Sequence, residues 1–300
     1  MVSVVITTYN SERYIEYQLK SILNQTMHVD EFIIVDDCSD DSTVMIIKGL
    51  MKGYNYFMIE HEENKGYLHS FEDGIKLASK KIIFLSDHDD YWEKQKIEKM
   101  VPYFNDISTV CVFSNGSLMD SNNNLIKGSL FESFKVKLSK NQLMDSGCLF
   151  TKLLKNDFIT GATLCANSAF LKSLLPFPDK IVHDKWIAYN AVLMNGLIGA
   201  KDKLIRYRIH DEQNIGIKRS FIKYTDRFEY QINFLSTVLV RTKNKNKMTI
   251  RLMNKLTHYN RRKEVTENHK YFIAIRELVN LNYFKYSRGI FSLLKDVFYK

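Results

Sequence analysis

The chain has 300 residues, 45% of them hydrophobic, with a formal net charge of +9 and four cysteines. That apolar fraction supplies a full core and excludes an intrinsically disordered chain. Cys38, Cys111, Cys148 and Cys165 form no Cys-x-x-Cys pair; the spacing excludes a zinc pattern and a disulfide framework and fits a reducing, cytosolic location. No basic leader precedes Val2–Thr7 and no run of about 18 apolar residues occurs, so neither a signal peptide nor a spanning helix is expected. Charge is unevenly spread: residues 218–300 hold 19 Lys+Arg against 6 Asp+Glu, a net of +13, and the first 217 residues carry a net of −4. An acidic body with a basic tail predicts chemistry in the first part and contact with an anionic surface by the second.

In chain order, Ser3 to Thr7 reads as a first strand, and Asn10-Ser11 as the cap of a helix to about Asn24, striped by Tyr14, Leu19, Ile22 and Leu23. Phe32 to Val35 is a second strand, after which Asp41 or Ser42 caps a helix carrying Val44 to Leu50. Tyr54 to Ile59 is a third strand. The turn Asn64-Lys65-Gly66 leads into a helix over Leu68 to Ala78, and Ile82 to Leu85 is a fourth strand. Strands alternating with helices at this spacing predict βαβ units and a largely parallel sheet. The middle reads as mixed: strands at Val110 to Phe113 and Ile159 to Cys165, a turn at Ser121–Asn124, and a helix from Asp184 to Met194. From Lys218 onward Gly and Pro nearly vanish and Phe228, Ile232, Leu235, Val238 and Leu239 recur with helical spacing, predicting a basic helical appendage. Two domains are expected, 1–217 and 218–300.

The fourth strand runs directly into Asp87-His88-Asp89-Asp90-Tyr91-Trp92. Acids at the C-terminal end of a strand in an α/β sheet stand where such sheets bind ligands. The Asp-x-Asp spacing lets Asp87 and Asp89 share one Mg²⁺ or Mn²⁺ while phosphate oxygens take other coordination sites. The plain alternative is an acidic N-cap for a helix beginning near Glu93.

Three blocks, Val2-Ser3-Val4-Val5-Ile6-Thr7-Thr8-Tyr9-Asn10, Ser21-Ile22-Leu23-Asn24-Gln25-Thr26 and Ile34-Val35-Asp36-Asp37-Cys38-Ser39-Asp40-Asp41-Ser42-Thr43, resemble the family 2 glycosyltransferases of the GT-A fold. The Asp-x-Asp cluster is a fourth match. A fifth, Val182-His183-Asp184-Lys185-Trp186-Ile187-Ala188 with Tyr207-Arg208-Ile209-His210, resembles the rhamnosyltransferase-like branch. The matches reach to about residue 215 and leave the tail without a family reading.

The resemblance implies a GT-A nucleotide-diphospho-sugar transferase fold, a Rossmann-like mixed sheet flanked by helices. It implies a donor site in which Thr7, Tyr9 and Asp37 hold the base of a nucleoside diphosphate sugar, with Lys65 and Asp87 also on the donor. Asp87, Asp89 and His210 would hold a divalent cation, and Asp184 would be the catalytic base. Read from residues alone, Tyr9 serves equally as a rim aromatic, Asp37 as a loop-capping acid, Asp184 as a helix cap and His210 as a structural histidine. Trp186 lines the acceptor site or packs in the core. Gly161-Ala162 would let the sugar approach the backbone. The implied activity is inverting transfer of one sugar, UDP- or dTDP-linked and rhamnose by the branch, to a hydroxyl of a glycan or lipid-linked acceptor in surface polysaccharide biosynthesis.

Two departures qualify the match. His69-Ser70-Phe71-Glu72 stands where many relatives carry an Arg, which removes one expected donor contact. The Gln-x-x-Arg-Trp element of processive synthases is absent, which favours one sugar per binding event. A G-x-G-x-x-G dinucleotide turn and a P-loop are absent as well. The non-enzymatic alternative is a basic membrane- or nucleic-acid-binding protein driven by residues 218–300. Peripheral attachment of that segment to the inner face of the membrane is the preferred use of its charge, and nucleic acid is not expected as a partner.

Overall fold

A computed structural model describes residues 1–136, 144–210, 224–242, 246–268 and 271–298. The first half runs β1 (Val2–Thr8), α1 (Ile15–Leu23), β2 (Glu31–Asp36), α2 (Thr43–Leu50), β3 (Tyr56–Glu60), α3 (Tyr67–Leu77), β4 (Ile82–Ser86), β5 (Tyr91–Trp92), α4 (Lys96–Met100), β6 (Cys111–Met119), β7 (Leu125–Ser129) and α5 (Leu130–Ser133). Then come α6 (Ser146–Leu153), β8 (Leu164–Asn167), α7 (Ser168–Ser173), α8 (His183–Leu193) and β9 (Leu197–Arg208). Helices α9 (Tyr224–Arg241), α10 (Lys247–Asn268), α11 (Tyr271–Val279), α12 (Asn282–Tyr286) and α13 (Ile290–Phe298) complete the chain.

The strands form one sheet in the order β3-β2-β1-β4-β8-β6-β9-β5, with β7 paired to β6. β1 lies parallel between β2 and β4, Val4 opposite Phe32 on one side and Phe84 on the other, and β2 is parallel to β3. Parallel neighbours require crossovers, which α1, α2 and α3 supply. Beyond β4 the sheet turns mixed: β8 is antiparallel to β4 and to β6, and β9 is parallel to β6. All seven residues of β1 are buried, as a strand covered on both faces must be. A Cβ on Gly74 would collide with Val5 and crowd Val35, so glycine there lets α3 lie directly on β1 and β2.

Two local expectations change, and one open alternative resolves. α1 begins at Ile15, and its N-cap Tyr14 makes no side-chain cap bond. Asn10 and Ser11 instead tie the loop after β1 to the loop after β2. Asn10 takes φ 43°; its side chain accepts from Asp40 N at 3.0 Å, and Ser11 N donates to Thr43 Oγ1 at 2.7 Å. The strand expected over Ile159 to Cys165 is a 3-10 turn, Gly161–Thr163, followed by β8. Asp41, not Ser42, accepts from the first helical N–H of α2, that of Thr43, at 2.9 Å.

The chain divides into two compact units, one of Met1–Ser146 with Phe158 through β9, the other of Gly147–Asp157 with α9 to α13. The boundary expected between residues 217 and 218 lies outside the described residues. Within the second unit Lys255 Nζ donates to Leu153 O at 3.3 Å and the Arg251 guanidinium lies over Phe150. Phe228, Leu235 and Val238 of α9 are buried. Among the described residues no helix is long and apolar enough to cross a membrane.

Candidate active site

β4 ends at buried Ser86, whose Oγ accepts from Gln18 Nε2 at 2.7 Å, and the chain then leaves the sheet as Asp87-His88-Asp89-Asp90. It is recaptured by β5, which pairs antiparallel with β9, Tyr91 opposite Arg206. That pairing brings Arg208 and His210 to the acidic turn. Arg208 N donates to Asp90 Oδ1 at 2.8 Å, its Nε to Asp89 O, and its Nη1 to Asp120 O at 3.1 Å, with the guanidinium over Tyr14. His210 Nε2 lies 2.9 Å from Asp89 Oδ2. The N-cap of α4 is Gln95, which makes no side-chain cap bond. The acids therefore do not serve that helix, and the plain capping reading fails.

The turn is electrostatically crowded. Burial, then the negative charges of Asp89 and Asp184, push Asp87 up to about 7. Burial would raise Asp89 as well, but the His210 hydrogen bond and nearby positive charge hold it below the ordinary carboxylate range. Asp90 is raised well above that range by burial and by Asp89 and Asp87. Tyr67 is pushed up to about 12 by burial and then by Asp184 and Asp87, so its phenol stays neutral and available as a donor. Fully buried Lys96 stands behind the acids, its Nζ donating to Ala162 O at 2.7 Å over the Trp92 ring; burial lowers it to about 7.

Asp184 sits in the first turn of α8, where its Oδ2 accepts from Gly161 N at 3.1 Å. A Cβ on Gly161 would strike the His183 imidazole, so this glycine admits a ring of the protein itself. Trp186 is 1% exposed and its Nε1 donates to Leu174 O, which makes it a core residue. His183 is packed among Tyr67, Phe71 and Phe177, and neither ring nitrogen has a hydrogen-bond partner. Burial holds it down to about 3, hence neutral at physiological pH. A histidine whose folded value lies below its unfolded 6.5 contributes stability present above 6.5 and lost as pH falls toward 3. Urea unfolding of the native chain should therefore show a loss of a few kcal/mol over that window, with about 5 kcal/mol as its ceiling. His183→Leu should shed this part of the acid slope; an unchanged slope would contradict the assignment.

The base-binding candidates gather at the ends of β1 and β2. Thr7 is buried and Tyr9 is 43% exposed, its ring available at the rim. Asp37 is buried and already occupied: Oδ1 accepts from Lys65 N and Oδ2 from Gly66 N, both at 2.8 Å, and His61 Nδ1 lies 2.9 Å away. Its first task is to fasten the Asn64-Lys65-Gly66 turn, where Gly66 takes φ 87°, to the end of β2. Lys65 itself is exposed. Glu72, in the segment that departs from the family, is buried and accepts from Phe177 N. The site residues that sequence reasoning left unassigned are Asp90, Lys96, Arg208, His61, Tyr67 and His183. Asp90, His183 and Arg208 lie inside segments that the sequence already sets apart and Tyr67 follows the Asn-x-Gly turn, so position alone could have marked these four.

Among the described residues no group of three or more His, Cys, Asp or Glu side chains is arranged to hold a metal ion by itself. The turn nevertheless suits a divalent cation. It sets imidazole and carboxylate side by side at 2.9 Å, crowds negative charge that a cation would relieve, and leaves His210 Nδ1 and Asp90 Oδ2 buried without hydrogen-bond partners. Such an ion would draw its remaining ligands from diphosphate and water, the habit of Mg²⁺ at nucleotide sites.

A mixed sheet flanked by helices is the architecture of the GT-A nucleotide-diphospho-sugar transferases. The chain belongs to glycosyl transferase family 2, whose family profile matches residues 3–160, just over half of it. It is 34% identical over 120 residues to TuaG of Bacillus subtilis strain 168, a glycosyltransferase named for teichuronic acid biosynthesis; the match covers 40% of this chain and about half, 48%, of TuaG. It is 26% identical over 250 residues to the Escherichia coli UDP-Glc:alpha-D-GlcNAc-diphosphoundecaprenol beta-1,3-glucosyltransferase WfgD, covering 78% of this chain and 92% of WfgD. The fold resembles that of S. aureus TarS 1-349 in complex with UDP-GlcNAc, with TM-score 0.63, 18% identity, and coverage of 99% of this chain and 81% of that one. It also resembles the mannosyltransferase PcManGT of Pyrobaculum calidifontis in complex with GDP-Man and Mn²⁺, with TM-score 0.60, 16% identity, and coverage of 94% and 74%.

Proposed function

We propose that this glycosyltransferase moves one sugar from a nucleoside diphosphate donor, UDP- or dTDP-linked, to a hydroxyl of a glycan or lipid-linked acceptor, with inversion, in surface polysaccharide biosynthesis. The observation that carries the reading is that Asp89 and the Asp184 of α8 both lie close enough to Asp87, at the C-terminal end of β4, for their charges to raise its carboxyl. Thr7 and Tyr9 hold the base, with the ring of Tyr9 as a wall, while Asp37 and Lys65 shape the turn beside it. A divalent ion, Mg²⁺ or Mn²⁺, held by Asp89 and His210 with Asp87, would neutralise charge growing on the leaving diphosphate.

Asp184 takes the proton from the acceptor hydroxyl as that oxygen attacks the anomeric carbon. The bond from that carbon to the diphosphate oxygen breaks on the opposite face, its electron pair leaves with the diphosphate, and a single displacement inverts the anomer. Hydrogen bonding from Gly161 N and the start of α8 fix the orientation of Asp184.

A lipid-linked acceptor is supported by the acceptor in WfgD's name, and a UDP-linked donor by that name and by the TarS complex. Rhamnose rests on the His183-Asp184-Lys185-Trp186 resemblance. Chromatographic assay with UDP-hexoses and dTDP-rhamnose should show nucleoside diphosphate released in step with glycosylation of a lipid-diphosphate acceptor analogue, dependent on Mg²⁺ or Mn²⁺. Absence of turnover with every donor and either metal would reject the reading.

A further inference from the structure

The last helices of the second unit are built with their polar side inward. Glu277 of α11 and Asp296 of α13 are buried, as are Ser287 and Ser292. α10 supplies their partners: His258 Nδ1 lies 2.6 Å from Glu277 Oε2, and Arg261 Nη1 donates to Glu277 Oε1. Arg262 grips Asp296 through Nε and Nη2 at 2.8 and 3.0 Å, and Tyr283 Oη donates to the same carboxylate at 2.8 Å. These contacts fix the rotation of α11 and α13, because turning either helix over would leave Arg262 or His258 buried without its acid.

The apolar side is consequently outward. Phe272, Ile275 and Val279 on α11, and Phe291, Leu294 and Phe298 on α13, are exposed at the same i, i+3, i+7 spacing on two helices that pack together. The exposed charge beside them has one sign. Both acids of residues 271–298 are the buried ones, and Arg276, Lys285, Arg288 and Lys295 are all exposed.

We propose that the outer face of α11 and α13 docks on an anionic lipid bilayer, its Phe, Ile, Val and Leu side chains in the acyl boundary and its Lys and Arg side chains at the phosphates. A second copy of the chain is a poorer occupant, since a two-fold contact through this face would set cation against cation. The proposal deepens the membrane-surface reading of the basic segment by naming the face that makes contact, and it is independent of the transfer reaction.

Flotation of the full chain with phosphatidylglycerol–phosphatidylcholine vesicles, and with phosphatidylcholine vesicles alone, tests it. The native protein should float with the anionic vesicles and at least tenfold more weakly with the neutral ones. F272S/F291S/F298S and R276Q/K285Q should each weaken anionic binding at least tenfold with unchanged melting profiles, since all five side chains are exposed. Should the aromatic variant misfold, the basic pair still decides. Unchanged binding of the basic pair would overturn the proposal, as would a native dimer in sedimentation velocity that the aromatic substitutions dissociate.

Discussion

Asp184→Asn should lower kcat about 10³-fold, a loss of roughly 4 kcal/mol of transition-state stabilisation, while donor affinity changes by no more than about threefold. An Asn oxygen can still accept the Gly161 N–H that Asp184 Oδ2 holds at 3.1 Å, but the Lys185 N–H that donates to Oδ1 would then face the amide NH2, so the melting profile of the variant is compared with the native chain to separate a loss of the base from a loosened start of α8. What Asn lacks is the capacity to take a proton. Steady-state kinetics with donor affinity measured separately would check this, and turnover retained within tenfold would reject Asp184 as the base.

Asp89→Asn should lower turnover by about 10² to 10³-fold and abolish its dependence on Mg²⁺ or Mn²⁺, because the charge lost is the one paired with His210. Stability should fall modestly as well, because the Asp89 carboxylate, held below its ordinary range against burial by the His210 hydrogen bond, is stabilising in the fold and the substitution takes that charged partner from His210. Turnover that stays metal-dependent in the variant would place the cation elsewhere.

The parallel half of the fold is legible because its signals are local: apolar runs of strand length, each followed by a turn and a helical stripe. The acidic turn stands out for the same reason, as acids directly after a buried strand. Lys96 is not legible, since it is a single basic residue whose burial is decided by distant partners, the Trp92 ring and Ala162 O; Arg208 stands in a marked block, but its burial against the acidic turn depends on the pairing of β5 with β9. Asn10-Ser11 resembles a helix cap in sequence, yet the loop after β2 competes for the same groups and wins. Gly147–Asp157 reads as part of the first domain because nothing in its composition announces partners more than 90 residues away on α10. α13 defeats the periodicity rule outright. Its apolar stripe predicts an inward face, but Asp296 has a buried partner in Arg262 and takes that side.

The acidic turn is tested most directly by phosphorus NMR of UDP mixed with the protein and substoichiometric Mn²⁺. On the proposal that the ion and the diphosphate share a site formed by Asp87, Asp89 and His210, both phosphate resonances should broaden far more with the native chain than with Asp89→Asn. Equal broadening with the two proteins would show that this turn does not bring the ion and the nucleotide together.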